Sequence, residues 1–144
     1  FNYINTEYVL IVQHDFEFIR KFYIKKIIED MQNNVKVKHI RFNKRITKSE
    51  PRNMDRKRGK GYVTFGDQLK CKNYTYTQTP GWSDNNHLVA SSYYREIILP
   101  ECKDGKPMER HFKCEKDHSK YGTYIFGKIN DYPYILHLDG RNTI

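Results

Sequence analysis

Two carboxylates, Asp15 and Glu17, lie one residue apart where the apolar run Tyr8-Val9-Leu10-Ile11-Val12-Gln13 gives way to His14-Asp15-Phe16-Glu17. On an extended backbone alternate side chains share a face, so both could offer oxygen to one hard divalent cation and leave positions open for other oxygens. The simpler alternative is a solvated strand-to-helix turn whose negative charge favours the following helix N-terminus. His137, in Ile135-Leu136-His137-Leu138-Asp139-Gly140-Arg141, is a candidate third ligand from the far end of the chain; its alternative is a core-edge histidine bonded to backbone. Arg141 has the forked guanidinium that suits phosphate oxygens.

A second polar group is Trp82-Ser83-Asp84-Asn85-Asn86-His87, which holds the only Trp of the chain. Aromatic faces stack on sugar rings while neighbouring amides and carboxylates bond hydroxyls, so a sugar-binding turn is one reading and a Trp fixing a loop to the core is the other. Glu109, in Pro107-Met108-Glu109-Arg110-His111-Phe112, could take a proton from an attacking hydroxyl. Asp84 is the reserve for that role. Cys71, Cys102, Cys114 and His118 lack the close Cys pair of a persuasive zinc site, and the odd number of cysteines argues against a disulfide scaffold.

The elements that must position these groups follow from periodicity. Tyr8 to Gln13 is continuously apolar, as in a strand buried on both faces. Between Phe18 and Asn33 the residues Ile19, Phe22, Tyr23, Ile27 and Met31 recur at three- and four-residue steps, which predicts an amphipathic helix. Val35 to Phe42 alternates like a strand, completing a strand–helix–strand unit. Asn43 to Lys60 is rich in Lys and Arg and is expected to be a flexible basic loop. Short strands are expected at Tyr62–Phe65 and Tyr74–Gln78, helices at Ser91–Leu99 and from Pro107 to about Glu115, and final strands at Tyr121–Lys128 and Tyr134–Leu138.

The 144 residues suit one domain, and 12 Tyr and 8 Phe mean that rings supply much of the apolar burial. A formal charge of +9 and a pI near 9.4 favour anionic partners: a phosphorylated small ligand, nucleic acid or an acidic membrane surface. No run approaches the ~20 apolar residues of a spanning helix.

In chain order, Tyr8–Asp15, Ile40-Arg41-Phe42, Trp82–Ser91 and His137–Arg141 resemble the small GT-A-type glycosyltransferases of bacteria and large DNA viruses. The resemblance implies an α/β fold with a GT-A-like, Rossmann-like mixed central sheet flanked by helices. Only Phe1 to Glu7 precede the acidic motif, so the first βαβ units of such a fold are expected to be missing and the chain to hold the metal- and acceptor-binding part. It further implies an enzyme moving a sugar from a nucleotide-sugar donor to a sugar or glycan hydroxyl, with inversion; the odd cysteine count, which favours a reducing compartment, makes the cytoplasm its expected location. Mn²⁺ or Mg²⁺ would be held by Asp15, Glu17 and His137, Glu109 would be the base, and Trp82, Ser83, His87, Arg41 and Arg141 would contact substrate. The chain departs from the family pattern at Asn85-Asn86 and at Glu109-Arg110. The competing reading is a basic nucleic-acid-binding module using the loop from Lys44 to Lys60; concentration of the charge in one segment rather than along a sheet face disfavours it.

Overall fold

A computed structural model of the chain describes residues 3–47, 52–53, 62–63, 67–79, 81–103, 105–108, 111–112 and 117–138, with only the backbone at 52–53 and 62–63. The apolar run expected to be buried on both faces forms β1 (Tyr8–Ile11), but β1 is an edge strand of the sheet and all four of its residues are only half-buried; the turn after it leads into a three-residue β2 (Phe16–Phe18). Helix α1 (Ile24–Gln32) therefore starts later than its periodicity suggests: Phe18 pairs with Ile135 and the Ile19 N–H donates to the Tyr134 carbonyl. Ile27 and Met31 face the core, as the three- and four-residue spacing requires. Phe22, read as part of the helical stripe, instead packs its ring against Phe18 and Phe42, with centroids 5.0 and 4.6 Å away.

The remaining strands are β3 (His39–Arg41), β4 (Arg52–Asn53), β5 (Tyr62–Val63), β6 (Gln68–Lys70), β7 (Thr75–Gln78), β8 (His87–Ala90), β9 (Thr123–Phe126) and β10 (Ile135–His137). Six of them make one mixed sheet in the order β1-β8-β3-β9-β7-β6, while β2 pairs with β10 and β4 with β5. β8 runs antiparallel to both β1 and β3, and β3 is parallel to β9, so β1, β3 and β9 point the same way. Their carboxyl ends form one edge of the sheet, the edge at which open α/β sheets hold ligands. The architecture is thus mixed α/β with few helices, and among the described residues no helix is long and apolar enough to cross a membrane.

Period-two alternation sends neighbouring residues of each strand to opposite faces. Ile40, Leu88, Tyr124 and Phe126 join Ile27 and Met31 of α1 in one core, and Val89 joins Trp82, Tyr93, Tyr94, Ile98, Phe112 and Tyr121 in another. The segment expected as a helix over Ser91–Leu99 runs on to Glu101 in three pieces: α2 (Ser91–Tyr93), a π-helical turn (Tyr94–Ile98) and a 3₁₀ turn (Leu99–Glu101). A short α3 (His118–Tyr121), capped by the Asp117 carboxylate accepting from the Lys120 N–H, precedes β9. Much of the helix expected from Pro107 and most of the basic loop lie outside the described residues, although Arg52–Asn53 and Tyr62–Val63 pair as a two-residue ladder.

One buried charge ties α1 to the sheet. Asp30, 1% exposed, accepts hydrogen bonds from the backbone N–H groups of Asn73 and Tyr74, the Asn73 amide and the Tyr76 hydroxyl. Removing it leaves buried donors unsatisfied, a larger loss than the net worth of the bonds themselves. Asp30→Ala is expected to cost about 3 kcal/mol, read as a lowered urea midpoint at unchanged slope.

Candidate functional site

The site is built at the carboxyl edge of the parallel strands, and a single asparagine sets its frame. Asn86, fully buried, accepts the Gln13 N–H on Oδ1 at 2.8 Å, while its backbone carbonyl accepts the Phe42 N–H at 2.9 Å. The residue just before β8 thereby fixes the chain leaving β1 and the chain leaving β3. The Phe16 N–H then donates to the Gln13 carbonyl at 3.3 Å, which places His14 and Asp15 at the two central positions of a tight turn.

That turn decides where Asp15 points. Its carboxylate Oδ2 lies 3.1 Å from His137 Nε2, and its backbone carbonyl accepts the Leu138 N–H at 2.8 Å. The β2–β10 register sets His137 opposite Phe16 and Leu136 opposite Glu17, so His137 shares the inward face with Phe16. The two rings meet edge to face with centroids 4.4 Å apart. Glu17 projects from the other face of β2 and is exposed. The sequence expectation that Asp15 and Glu17 share a face assumed an extended backbone through both, whereas the turn at 14–15 separates them. Asp15 and His137 are brought together, Glu17 is not with them, and among the described residues no group of three or more His, Cys, Asp or Glu side chains stands ready for a metal.

The Trp82 segment folds inward. Trp82 is 5% exposed and packs on Phe112, His39 and His87, with centroids 4.9, 5.4 and 5.8 Å away, so its ring serves as a core support and offers no open face to a sugar in this arrangement. Ser83 is buried, Asp84 is exposed, and Asn85 is partly buried beside the chain leaving β3. His87, expected at the substrate, is fully buried. Its Nδ1 is 2.6 Å from the Asn85 carbonyl and must carry the proton, which leaves Nε2, 2.9 Å away, to accept from the Tyr94 hydroxyl. Arg41 at the end of β3 donates to Thr79 Oγ1 at 3.2 Å. Glu109 and Arg141 lie outside the described residues.

His39 had no role in the sequence reading. It is fully buried, with its ring 4.7 Å from that of His87 and the Ser83 backbone beside it. Burial, the neighbouring His87 and Arg41 hold its pKa well below the ordinary value, and burial lowers that of His87 to about 4. The alternation of Val35 to Phe42 could have located His39 as an inward residue, but only the register shows that it meets a second histidine.

A cleft of about 120 Å³ adjoins this edge, lined by Arg41, Asn43, Lys44, Arg45, Thr47 and Asn85 among others. The Lys44 ammonium lies 5.2 Å over the Phe16 ring, joining the cleft to the Asp15–His137 pair. Comparison with family models, curated proteins and solved structures returns no match for this chain, so its reading rests on its residues and their geometry.

The two buried imidazoles make stability pH-dependent with a definite sign. A depressed folded-state pKa means that the unfolded chain binds more protons, so stability is full above the ordinary value of 6.5 and falls as pH drops toward the folded value near 4. His87 alone contributes a loss of about 3 kcal/mol across that window, and His39 deepens it. Urea unfolding at steps from pH 7.5 to 4 is expected to show this decline, with a shallower slope in a His87→Gln variant.

Proposed function

We propose that this chain is the metal- and acceptor-side part of a GT-A-like glycosyltransferase, moving a sugar from a nucleotide-sugar donor to a glycan hydroxyl. The supporting observation is the meeting of Asp15 with His137 from opposite ends of the sequence, at the carboxyl edge of three parallel strands and beside a basic cleft. A carboxylate and an imidazole are too few to cage a structural ion. They suit a hydrated Mn²⁺ or Mg²⁺ that takes its other oxygens from a diphosphate, because such ions keep open positions for substrate. When bound, the ion would offset charge growing on the departing nucleoside diphosphate.

The chain's own residues have distinct parts in this reading. Asp15 and His137 hold the cation, and Phe16 at the edge of the imidazole fixes the orientation of that ring. Asn86 keeps the Gln13–Phe16 turn in place, so the carboxylate is positioned before ligand arrives. The exposed Asp84 carboxylate, on the loop entering β8, and Glu109 are the two candidates to accept the acceptor's proton. Trp82 supports the loop bearing Asp84 from beneath rather than stacking on the sugar.

Two readouts test the proposal. Mn²⁺ together with the matching nucleoside diphosphate is expected to raise the melting temperature of the chain, and Asp15→Ala to abolish the shift. Release of nucleoside diphosphate from a panel of nucleotide sugars, measured with and without Mn²⁺, is expected to fall at least about 100-fold in Asp15→Ala. Full Mn²⁺-dependent turnover in that variant would sink the metal assignment. Steeply salt-dependent binding of single-stranded oligonucleotides, with no response to Mn²⁺ and nucleotide, would replace the transferase reading with nucleic-acid binding.

A further inference from the structure

The geometry points to a seat for one phosphoryl group in the cleft between the end of β3 and residues 43–47, with Lys44 and Arg45 as its principal cationic contacts. The seat stands apart from the cation-binding reading, since none of its lining residues is Asp15, Glu17 or His137.

Its size comes first. Pockets that take a whole small-molecule ligand usually measure 300–1,000 Å³. At about 120 Å³ this cleft has room for one tetrahedral oxyanion, with the remainder of any larger ligand lying outside it. Its charge comes second. Arg41, Lys44 and Arg45 all line it, and no Asp or Glu does. Among the described residues neither Lys44 nor Arg45 is paired with a carboxylate, so both charges are available to an anion. Asn85 adds a polar side chain suited to phosphate oxygens, while Thr47, 1% exposed, supports the segment from within.

The third argument is rigidity. Residues 43–47 wrap around the Asn43 side-chain amide, whose two N–H groups are shared among the Arg45 carbonyl at 2.9 Å, Thr47 Oγ1 at 3.1 Å and the Tyr132 carbonyl at 3.2 Å. The segment is sewn to the strand β10 side by Tyr134 N–H to the Asn43 carbonyl, 2.9 Å, and Thr47 N–H to the Asp131 carbonyl, 3.2 Å. A buried amide at the centre of a basic segment holds its backbone in one shape, so less ordering remains to be done when an anion binds. Lys44 reaches over Phe16, and Phe16 touches His137, which puts the seat one ring away from the Asp15–His137 pair.

Two sources share this chemistry: the diphosphate of a nucleotide and the phosphate of a phosphorylated acceptor. The test uses inorganic phosphate in EDTA, followed by calorimetry, with a Lys44→Met/Arg45→Met variant and a Lys72→Met control from the distant Glu29 ion pair. Wild type and control are expected to bind phosphate alike, and the double variant at least about 100-fold more weakly, roughly tenfold for each charged contact. Asp15→Ala retains phosphate binding, which separates failure of this inference from failure of the cation assignment. Displacement of phosphate by a nucleoside diphosphate places the seat on the donor side, and displacement by a hexose 6-phosphate places it on the acceptor side; either supports it. Equal affinity in the double variant and wild type, at matched melting temperatures, overturns it, as does the absence of phosphate binding to wild type.

Discussion

Strand β8 is the piece on which the rest of this structure depends. It runs antiparallel between β1 and β3, so neither of those strands pairs directly with the other, and its entering residue Asn86 bonds the chain leaving each of them. The Asn86 side-chain oxygen takes up the Gln13 N–H and its backbone carbonyl the Phe42 N–H, so neither donor is left unsatisfied where the two strands end. The same residue that completes the backbone hydrogen bonding therefore fixes the turn at His14-Asp15 and the start of the basic segment after Phe42.

This solution has a cost on the other face of the sheet. His39 and His87 come side by side through the β3–β8 register, His39 level with Val89 and Arg41 level with His87. Both rings must stay neutral in an apolar layer of Trp82, Tyr93 and Tyr94. Burial of a charged imidazole there is disfavoured, so the layer is held together by the same neutrality that makes it sensitive to acid. The π-helical turn is part of that layer, because Tyr94 within it brings its hydroxyl to His87 Nε2. On the opposite face Phe42, Phe126 and Tyr76 pack with the apolar side of α1, and the buried Asp30 carboxyl is surrounded by donors.

The functional edge combines these two constraints. A tight turn swings Asp15 toward His137, and a short β2–β10 ladder keeps His137 against Phe16. Because β2 has only three residues, its outward and inward faces are divided cleanly between Glu17 and its neighbours. The basic segment beside it is ordered by an amide rather than by a helix or a strand, which lets cationic side chains stand close together without a regular element beneath them.

Sequence by itself determined the local elements whose hydrophobic period is strong. Tyr8–Ile11 is apolar at every position, α1 repeats at three and four, and Thr75–Gln78, Thr123–Phe126 and Ile135–His137 fall within the expected strands, because burial of those side chains is favourable in almost any partner arrangement. It also marked Asp15 and His137 as polar residues ending apolar strands. It did not mark β8, where His87-Leu88-Val89-Ala90 opens with too polar a residue to stand out from the turn before it. Nor did it separate Glu17 from Asp15, bury Trp82, or pair His39 with His87. Those outcomes depend on which strands lie beside one another and in what register, and a shift of one residue reverses every face. Register is fixed by contacts between distant parts of the chain, which a periodicity read along the sequence does not contain.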